Sequence, residues 1–218
     1  MIEKETAKAV IFGAGSMPSG KKIKSMITGS DFIICADGGF DNAKEIGILP
    51  DVLIGDLDSI KEIKIGRSII DNSNIKLIKY PREKDSSDLE LSIEYAVEQG
   101  FKDIIVFAAM GSRIDHSLSN IHLLVRYSLD GYKVKIIDDN NIISLIYPNM
   151  EIEKDDYKYS LIPIGLDGIV VSLKGFKYEL ENKLIPFGTT LGVSNIVIEN
   201  KAEIKLHSGT GVLIQSID

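Results

Sequence analysis

The chain has 218 residues, 44% of them apolar and 26% charged, with a formal net charge of −7. That length suits one large domain or two modest ones and can bury a real core. The acidic balance argues against a nucleic-acid partner, because a phosphate backbone wants a basic face. Phosphorylated small molecules stay open, since a bound cation can supply local positive charge. The single cysteine, Cys35, lies in the apolar run Asp31-Phe32-Ile33-Ile34-Cys35 and reads as a buried small hydrophobe. No disulfide can form within the chain, which fits a reducing compartment. The first residues, Met1-Ile2-Glu3-Lys4-Glu5-Thr6, lack the basic-then-apolar layout of a signal peptide. No apolar stretch approaches a membrane span. The expectation is a cytoplasmic protein with no membrane partner.

In chain order, the first two-thirds alternates strand-like runs with helical stretches. The runs are Ala9–Phe12, Phe32–Cys35, Val52–Ile54, Ile75–Ile78, Ile104–Phe107 and Val134–Ile137. The clearest helix is expected over Ser87–Gln99, where Leu89, Ile93, Ala96 and Val97 recur at helical spacing and Gly100 follows. A second is expected over about Ser117–Leu129, ended by Gly131, with Asp115 as its cap. This alternation predicts a mostly parallel, Rossmann-like sheet with helices on its faces. Near Asp138-Asp139-Asn140-Asn141 the texture changes. Short turn-bounded runs follow, at Tyr159–Pro163, Gly168–Leu173, Tyr178–Leu180, Val197–Glu199 and Gly211–Ile214, with no sustained helical period. These predict a C-terminal all-β sandwich. The expected division is therefore 1–140, α/β, and 141–218, all-β.

The first five strands each end in a Gly or Asp loop: Gly13-Ala14-Gly15, Ala36-Asp37-Gly38-Gly39, Gly55-Asp56-Leu57-Asp58, Lys84-Asp85-Ser86-Ser87-Asp88 and Gly111-Ser112-Arg113-Ile114-Asp115. Ligands of open α/β sheets bind at the carboxyl ends of the strands, so these loops are expected to share one crevice. Two acids one residue apart at a strand exit, Asp56 and Asp58, repel unless something holds them. A divalent cation does so, and hard, oxygen-preferring Mg²⁺, which arrives with substrate phosphates, suits them best. The alternative is that one of them caps a helix starting near Ser59. Ser87 or Ser86 is expected to cap the helix after it, with Glu90 completing a capping box after Ser87. The glycines beside Asp37 permit close backbone approach to a ligand, or form a simple turn. Arg113 presents a donor fork suited to phosphate.

Other motifs are weaker. Gly15-Ser16-Met17-Pro18-Ser19-Gly20-Lys21-Lys22 nearly has P-loop spacing, but its last position is Lys22 where a metal-binding hydroxyl is needed, and Pro18 removes a backbone donor. His122 and His207 read as structural. No Cys/His cluster suggests zinc, and no G-x-S-x-G elbow is present.

As an ordered set, the Ala36–Gly39, Pro50–Ser59, Lys84–Glu90 and Gly111–Asn120 blocks, with Gly175–Leu180 and Gly192–Asn195 in the tail, resemble the thiamine pyrophosphokinase family. The resemblance implies a transferase (a kinase of thiamine pyrophosphate biosynthesis) that moves the pyrophosphoryl group of ATP onto thiamine and releases AMP. It implies a catalytic ATP- and Mg²⁺-binding first domain and a thiamine-binding, dimer-forming second domain. The thiamine site of the implied homodimer lies between the first domain of one subunit and the sandwich of the other. Carried over residue by residue, Asp37, Asp56, Asp58, Asp88, Arg113 and Asp115 form the catalytic set, with Asp56, Asp58 and Asp88 on the metal. Gly38, Asp85, Ser87, Gly111, His116 and Asn120 fall in the nucleotide-binding loops, and Gly192, Ser194 and Asn195 in the thiamine-binding segment. The chain departs from the family pattern at Ser87, often Thr, and at Ile196, commonly acidic. It has no tryptophan to stack on thiamine, leaving Phe176, Tyr178 or Phe187 for that contact. Two rivals fit part of the pattern. A haloacid-dehalogenase-like phosphatase would use Asp56-Leu57-Asp58 as a nucleophile loop, although that loop normally opens its fold. A non-catalytic nucleotide or thiamine sensor would bind without turnover.

Overall fold

The computed structural model describes residues 7–56 and 74–217. The chain divides into two compact units, Met1–Asp139 and Asn140–Asp218. In the first, strands β1 (Ala9–Phe12), β2 (Phe32–Ala36), β3 (Val52–Gly55), β4 (Lys76–Lys79), β5 (Asp103–Phe107) and β6 (Lys133–Ile137) run parallel in the order β6-β5-β1-β2-β3-β4. Helices α1 (Gly20–Met26), α2 (Gly39–Glu45), α3 (Asp88–Glu98) and α4 (Ile114–Leu129) lie between them in sequence. β1 and β3 are buried along their whole length, which is why they read as unbroken apolar runs rather than alternating ones.

The chain adds strands outward from β1 to β4, then returns to place β5 and β6 on the other side of β1. The order therefore reverses between β1 and β5. Ligands of open α/β sheets bind beyond the carboxyl ends of the strands at such a point.

Local signals set the helices. Ser87 caps α3, its hydroxyl accepting from the Glu90 N–H at 3.1 Å. The expected capping box does not close, because the Glu90 carboxylate instead accepts from Arg126 Nη1 on α4 at 2.9 Å. α4 begins at Ile114, three residues before the expected Ser117, which puts Asp115 inside the first turn and Arg113 at the cap. Ser117 explains the early start. Its buried hydroxyl accepts from the Gly111 N–H at 3.2 Å and lies 3.1 Å from the Arg113 carbonyl, pulling the preceding loop onto the helix.

The second unit holds β7 (Asn141–Leu145), β8 (Asn149–Glu153), β9 (Lys158–Pro163), β10 (Ile169–Lys174), β11 (Leu180–Ile185), β12 (Asn195–Ile196), β13 (Lys201–Gly209) and β14 (Gly211–Ser216). They form two antiparallel sheets, β12-β9-β14-β7 and β11-β10-β13-β8. Tyr159, Leu161 and Leu213 from one sheet and Ile169, Val171 and Ile204 from the other share a single apolar core. Phe176 lies within it, edge-on to Tyr159 with ring centroids 5.7 Å apart. Four strands were not foreseen: β7, β8, β12 and β13. The run expected at Tyr178–Leu180 is displaced to β11, and the one at Val197–Glu199 shrinks to an isolated bridge between Val197 and Phe176.

Candidate active site

A cleft of about 510 Å³ opens at the carboxyl ends of the parallel strands. It is lined by Gly13-Ala14-Gly15, following β1, and by the adjoining Ala108-Ala109-Met110-Gly111, following β5. The two are stitched together by backbone: Gly15 N–H donates to the Ala108 carbonyl at 2.8 Å and Ser16 N–H to the Met110 carbonyl at 2.7 Å. Gly15 is required by that closeness, since a methyl group there would stand 2.2 Å from the Met110 carbonyl oxygen. Asn42, on α2, ties the first segment from behind, its amide donating to the Gly13 carbonyl at 2.8 Å and the Gly15 carbonyl at 3.2 Å. Asn120, on α4, does the same for the second, donating to the Ala109 carbonyl at 2.6 Å.

Of the expected acids, Asp37, Asp56 and Asp88 all line this cleft. Asp37 is buried and takes a left-handed backbone, φ 44°, with its N–H donating to the Ile54 carbonyl at 2.7 Å. Its Oδ1 is buried with no hydrogen-bond partner among the described residues. Such an atom is costly to leave unpaired unless a ligand completes it. Asp88 opens α3, and its Oδ1 accepts from Lys84 Nζ at 2.6 Å. Asp58 lies outside the described residues. Among the described residues no three acidic, His or Cys side chains converge on one metal position. The donor chemistry nonetheless suits a hard cation: carboxylates of separate strand tips border one cleft, and one of them already holds an ammonium group.

Ser87, Gly111, Arg113, His116 and Asn120 also line the cleft, whereas Gly38, Asp85 and Asp115 do not. Arg113 Nη2 lies 2.6 Å from Asp115 Oδ2 in an exposed pair. That hydrogen bond, helped by the His116 backbone N–H, holds the Asp115 carboxyl below the usual carboxylate range, and the same bond raises the Arg113 guanidinium.

Sequence reasoning missed Arg82 and Lys84, two cations on the loop after β4, and Ala108, all of which line the cleft. The signal was available for the first two, because a phosphate site flanked by acids needs basic partners. Ala108 has φ 52°, and a non-glycine residue in that region marks strain that clusters at functional sites. The near-P-loop is no phosphate cradle. Ser19 caps α1, and Lys22 turns away to donate to the Asp138 and Asp139 carbonyls, both at 2.7 Å.

In the second unit, Gly192 is buried and its carbonyl accepts from the Leu161 N–H at 2.8 Å. Ser194 is exposed with φ 61°, its N–H donating to Ser160 Oγ at 3.0 Å. Asn195 is 6% exposed, and its amide grips the Tyr178 backbone: Oδ1 accepts from the Tyr178 N–H at 3.0 Å, and from the Ile196 N–H at 3.0 Å, while Nδ2 donates to the Tyr178 carbonyl at 2.8 Å. Asn195→Ala takes the amide partner from these three backbone groups and is expected to lower stability by ~1–3 kcal/mol, read as a shift of the urea midpoint. An unmoved midpoint would show that this grip contributes nothing. Of the aromatic candidates, Phe176 is fully buried in the core and is out of reach of a ligand, whereas Tyr178 and Phe187 are exposed.

Comparison with known proteins identifies the family. Residues 23–136 match the family model described as thiamin pyrophosphokinase, catalytic domain, and residues 149–212 match thiamin pyrophosphokinase, vitamin B1 binding domain. The chain belongs to the thiamine pyrophosphokinase family. It is 36% identical over 188 residues to thiamine pyrophosphokinase of Bacillus subtilis, covering 85% of this chain and 87% of that one. The crystal structure of thiamine pyrophosphokinase from Bacillus subtilis superposes with a TM-score of 0.87 at 30% identity, covering 98% of this chain and 100% of the other. That of thiamin pyrophosphokinase from Geobacillus thermodenitrificans gives 0.84 at 28% identity, over 98% of each. Thiamine pyrophosphokinase is thus the enzyme class of this chain, which adds to thiamine the pyrophosphoryl group of ATP.

Proposed function

We propose that the cleft at the carboxyl ends of the parallel strands is where the pyrophosphoryl group of ATP passes to the hydroxyl of thiamine, giving thiamine pyrophosphate and AMP. The observation that carries this reading is the meeting of three acids (Asp37, Asp56 and Asp88) with three cations (Arg82, Lys84 and Arg113) in one cleft at the strand ends of the parallel sheet. Transfer of this kind depends on positioning and charge neutralisation more than on covalent chemistry. The thiamine oxygen forms a bond to the β-phosphorus as the bond from that phosphorus to the α–β bridging oxygen breaks, and AMP departs with the bridging oxygen.

Arg82, Lys84 and Arg113 offset phosphate charge, and the joined β1 and β5 loops present a fixed backbone surface to the triphosphate. Asp37 orients the hydroxyl and takes its proton at Oδ1, the atom without a partner among the described residues. It is favoured over Asp88, whose Oδ1 is engaged by Lys84. Asp56, Asp58 and Asp88 would hold Mg²⁺, Asp58 lying outside the described residues. When bound, it neutralises phosphate oxygens and charge on the departing AMP. The loops of Gly38, Asp85, Ser87, Gly111, His116 and Asn120 hold the nucleotide, while Asp115 keeps Arg113 in place.

The second unit supplies thiamine recognition through Gly192, Ser194 and the segment braced by Asn195, with exposed Tyr178 or Phe187 as the aromatic contact. Exposed Phe187, Leu191, Val193 and Ile198 on that unit support a homodimer, checked by sedimentation. A cytoplasmic setting is supported by the lone buried Cys35, whose thiol is pushed up by burial. No helix among the described residues is long and apolar enough to cross a membrane.

The deciding experiment incubates the protein with Mg-ATP and thiamine and identifies the nucleotide released. AMP with thiamine pyrophosphate in equal amounts is the expected result. Free phosphate points to the phosphatase, and binding without turnover to the sensor; either outcome overturns the proposal.

A further inference from the structure

The bond between Lys84 and Asp88 has a consequence for the order in which the cleft fills. Lys84 Nζ sits 2.6 Å from Asp88 Oδ1, with side chains only 15% and 28% exposed. The same ammonium lies 5.7 Å from the centre of the Tyr80 ring, so an aromatic face and a carboxylate hold it together. Asp88 stands in the first turn of α3, where the helix end favours negative charge and Ser87 already caps the backbone. Asp88 Oδ1 is thus engaged by a cation that belongs to the protein.

An ammonium and a divalent cation cannot both bond one carboxylate oxygen in a half-buried site, because their mutual repulsion is poorly screened there. We propose that Lys84 is a placeholder on Asp88 that must be handed to a phosphate oxygen of the nucleotide before a divalent cation can take the carboxylate. This rests on the metal–nucleotide reading of the cleft given above. Arg82 and Lys84 border the same cleft, so a phosphate chain entering it offers the ammonium an acceptor in exchange for the one it gives up. Metal and nucleotide then promote each other's binding, and the coupling is carried by one side chain. The empty cleft is guarded against taking up a metal alone, and Lys84 is a positioning residue whose move makes Asp88 available.

The test is a titration of Mn²⁺, followed by loss of the free-ion electron paramagnetic resonance signal. It is made on the whole protein with and without α,β-methylene-ATP, whose α–β bond cannot be cleaved, and the Mn²⁺ taken up by the analogue alone, measured in a protein-free titration, is subtracted. Lys84→Gln is expected to bind Mn²⁺ alone about tenfold more tightly than the unaltered protein, and to show a smaller gain on adding the analogue. Lys84→Arg keeps the charge and should bind Mn²⁺ alone as weakly as the unaltered protein. Lys84→Met, which keeps the apolar stem against Tyr80, gives the same readout if the glutamine variant misfolds. A purely structural role for Lys84 predicts weaker metal binding on its loss, not stronger. If every protein binds Mn²⁺ with the analogue present but the neutral variants bind it no more tightly alone, the hand-over is overturned and the metal–nucleotide reading stands. Absence of Mn²⁺ binding even with the analogue overturns both.

Discussion

Asp37→Asn is expected to abolish most turnover while the protein remains folded. The substitution keeps the shape of the side chain, and asparagine tolerates the left-handed backbone that this position adopts at φ 44°. The native carboxylate is buried with an unpartnered Oδ1 among the described residues, so replacing its charge by an amide removes a desolvation cost rather than a favourable contact. The thermal midpoint should hold or rise. The amide cannot accept the hydroxyl proton, and it removes one negative charge from the cleft. Loss of a general base costs roughly 10²–10⁴-fold in rate, which sets the expected fall in kcat for AMP formation. A kcat within threefold of the unaltered protein would remove Asp37 from the chemistry. A fall accompanied by a collapsed melting curve would instead make it a structural residue.

The largest effect on stability is expected from Gly39→Ala. Gly39 opens α2 directly behind the acidic turn, and a methyl group there would stand 1.9 Å from the Phe12 carbonyl oxygen and 2.6 Å from its carbonyl carbon. Both atoms are backbone at the end of β1, which pairs with β2 on one side and β5 on the other. Neither can yield without breaking the centre of the sheet. Overpacking of this kind costs about 3 kcal/mol or more, read as a lowered urea midpoint with an unchanged slope. Gly29→Ala is the control, since an added methyl there meets nothing within 4 Å. Equal midpoints for the two variants would refute the steric account. Because Gly39 holds the turn that aims Asp37, residual activity in any folded fraction should fall as well.

These two residues illustrate what could be read from the sequence. Asp37 and its glycines stood out because an acid at a strand exit, beside residues that allow close approach, is a local pattern. The buried parallel strands were legible for a similar reason. A strand covered on both faces, such as Val52–Gly55, must be apolar at nearly every position, and no fold-level knowledge is needed to see it. Helix α3 was legible because its cap and its apolar spacing lie within a dozen residues. The second unit was harder. β13 alternates, with Ala202 and Ile204 inward and Lys201, Glu203 and Lys205 outward, so a search for apolar runs passes over it. β11 is exposed at Glu181, Asn182, Lys183 and Leu184 and carries little pattern of its own. Its pairing with β10 is what makes it a strand.

The sequence by itself determined the alternation of strands and helices, the change to an all-β second part, and the acids at the strand tips. Each is written in neighbouring residues, because secondary structure and burial follow short-range periodicity. The tertiary structure decided which loops meet. It brought Arg82 and Lys84 into one cleft with Asp37 and Asp56. It turned Lys22 away from the cleft, and it committed the Asn195 amide to the Tyr178 backbone. Contacts of that kind join residues on different elements, and their geometry depends on strand order and packing, which no local stretch of chain encodes alone.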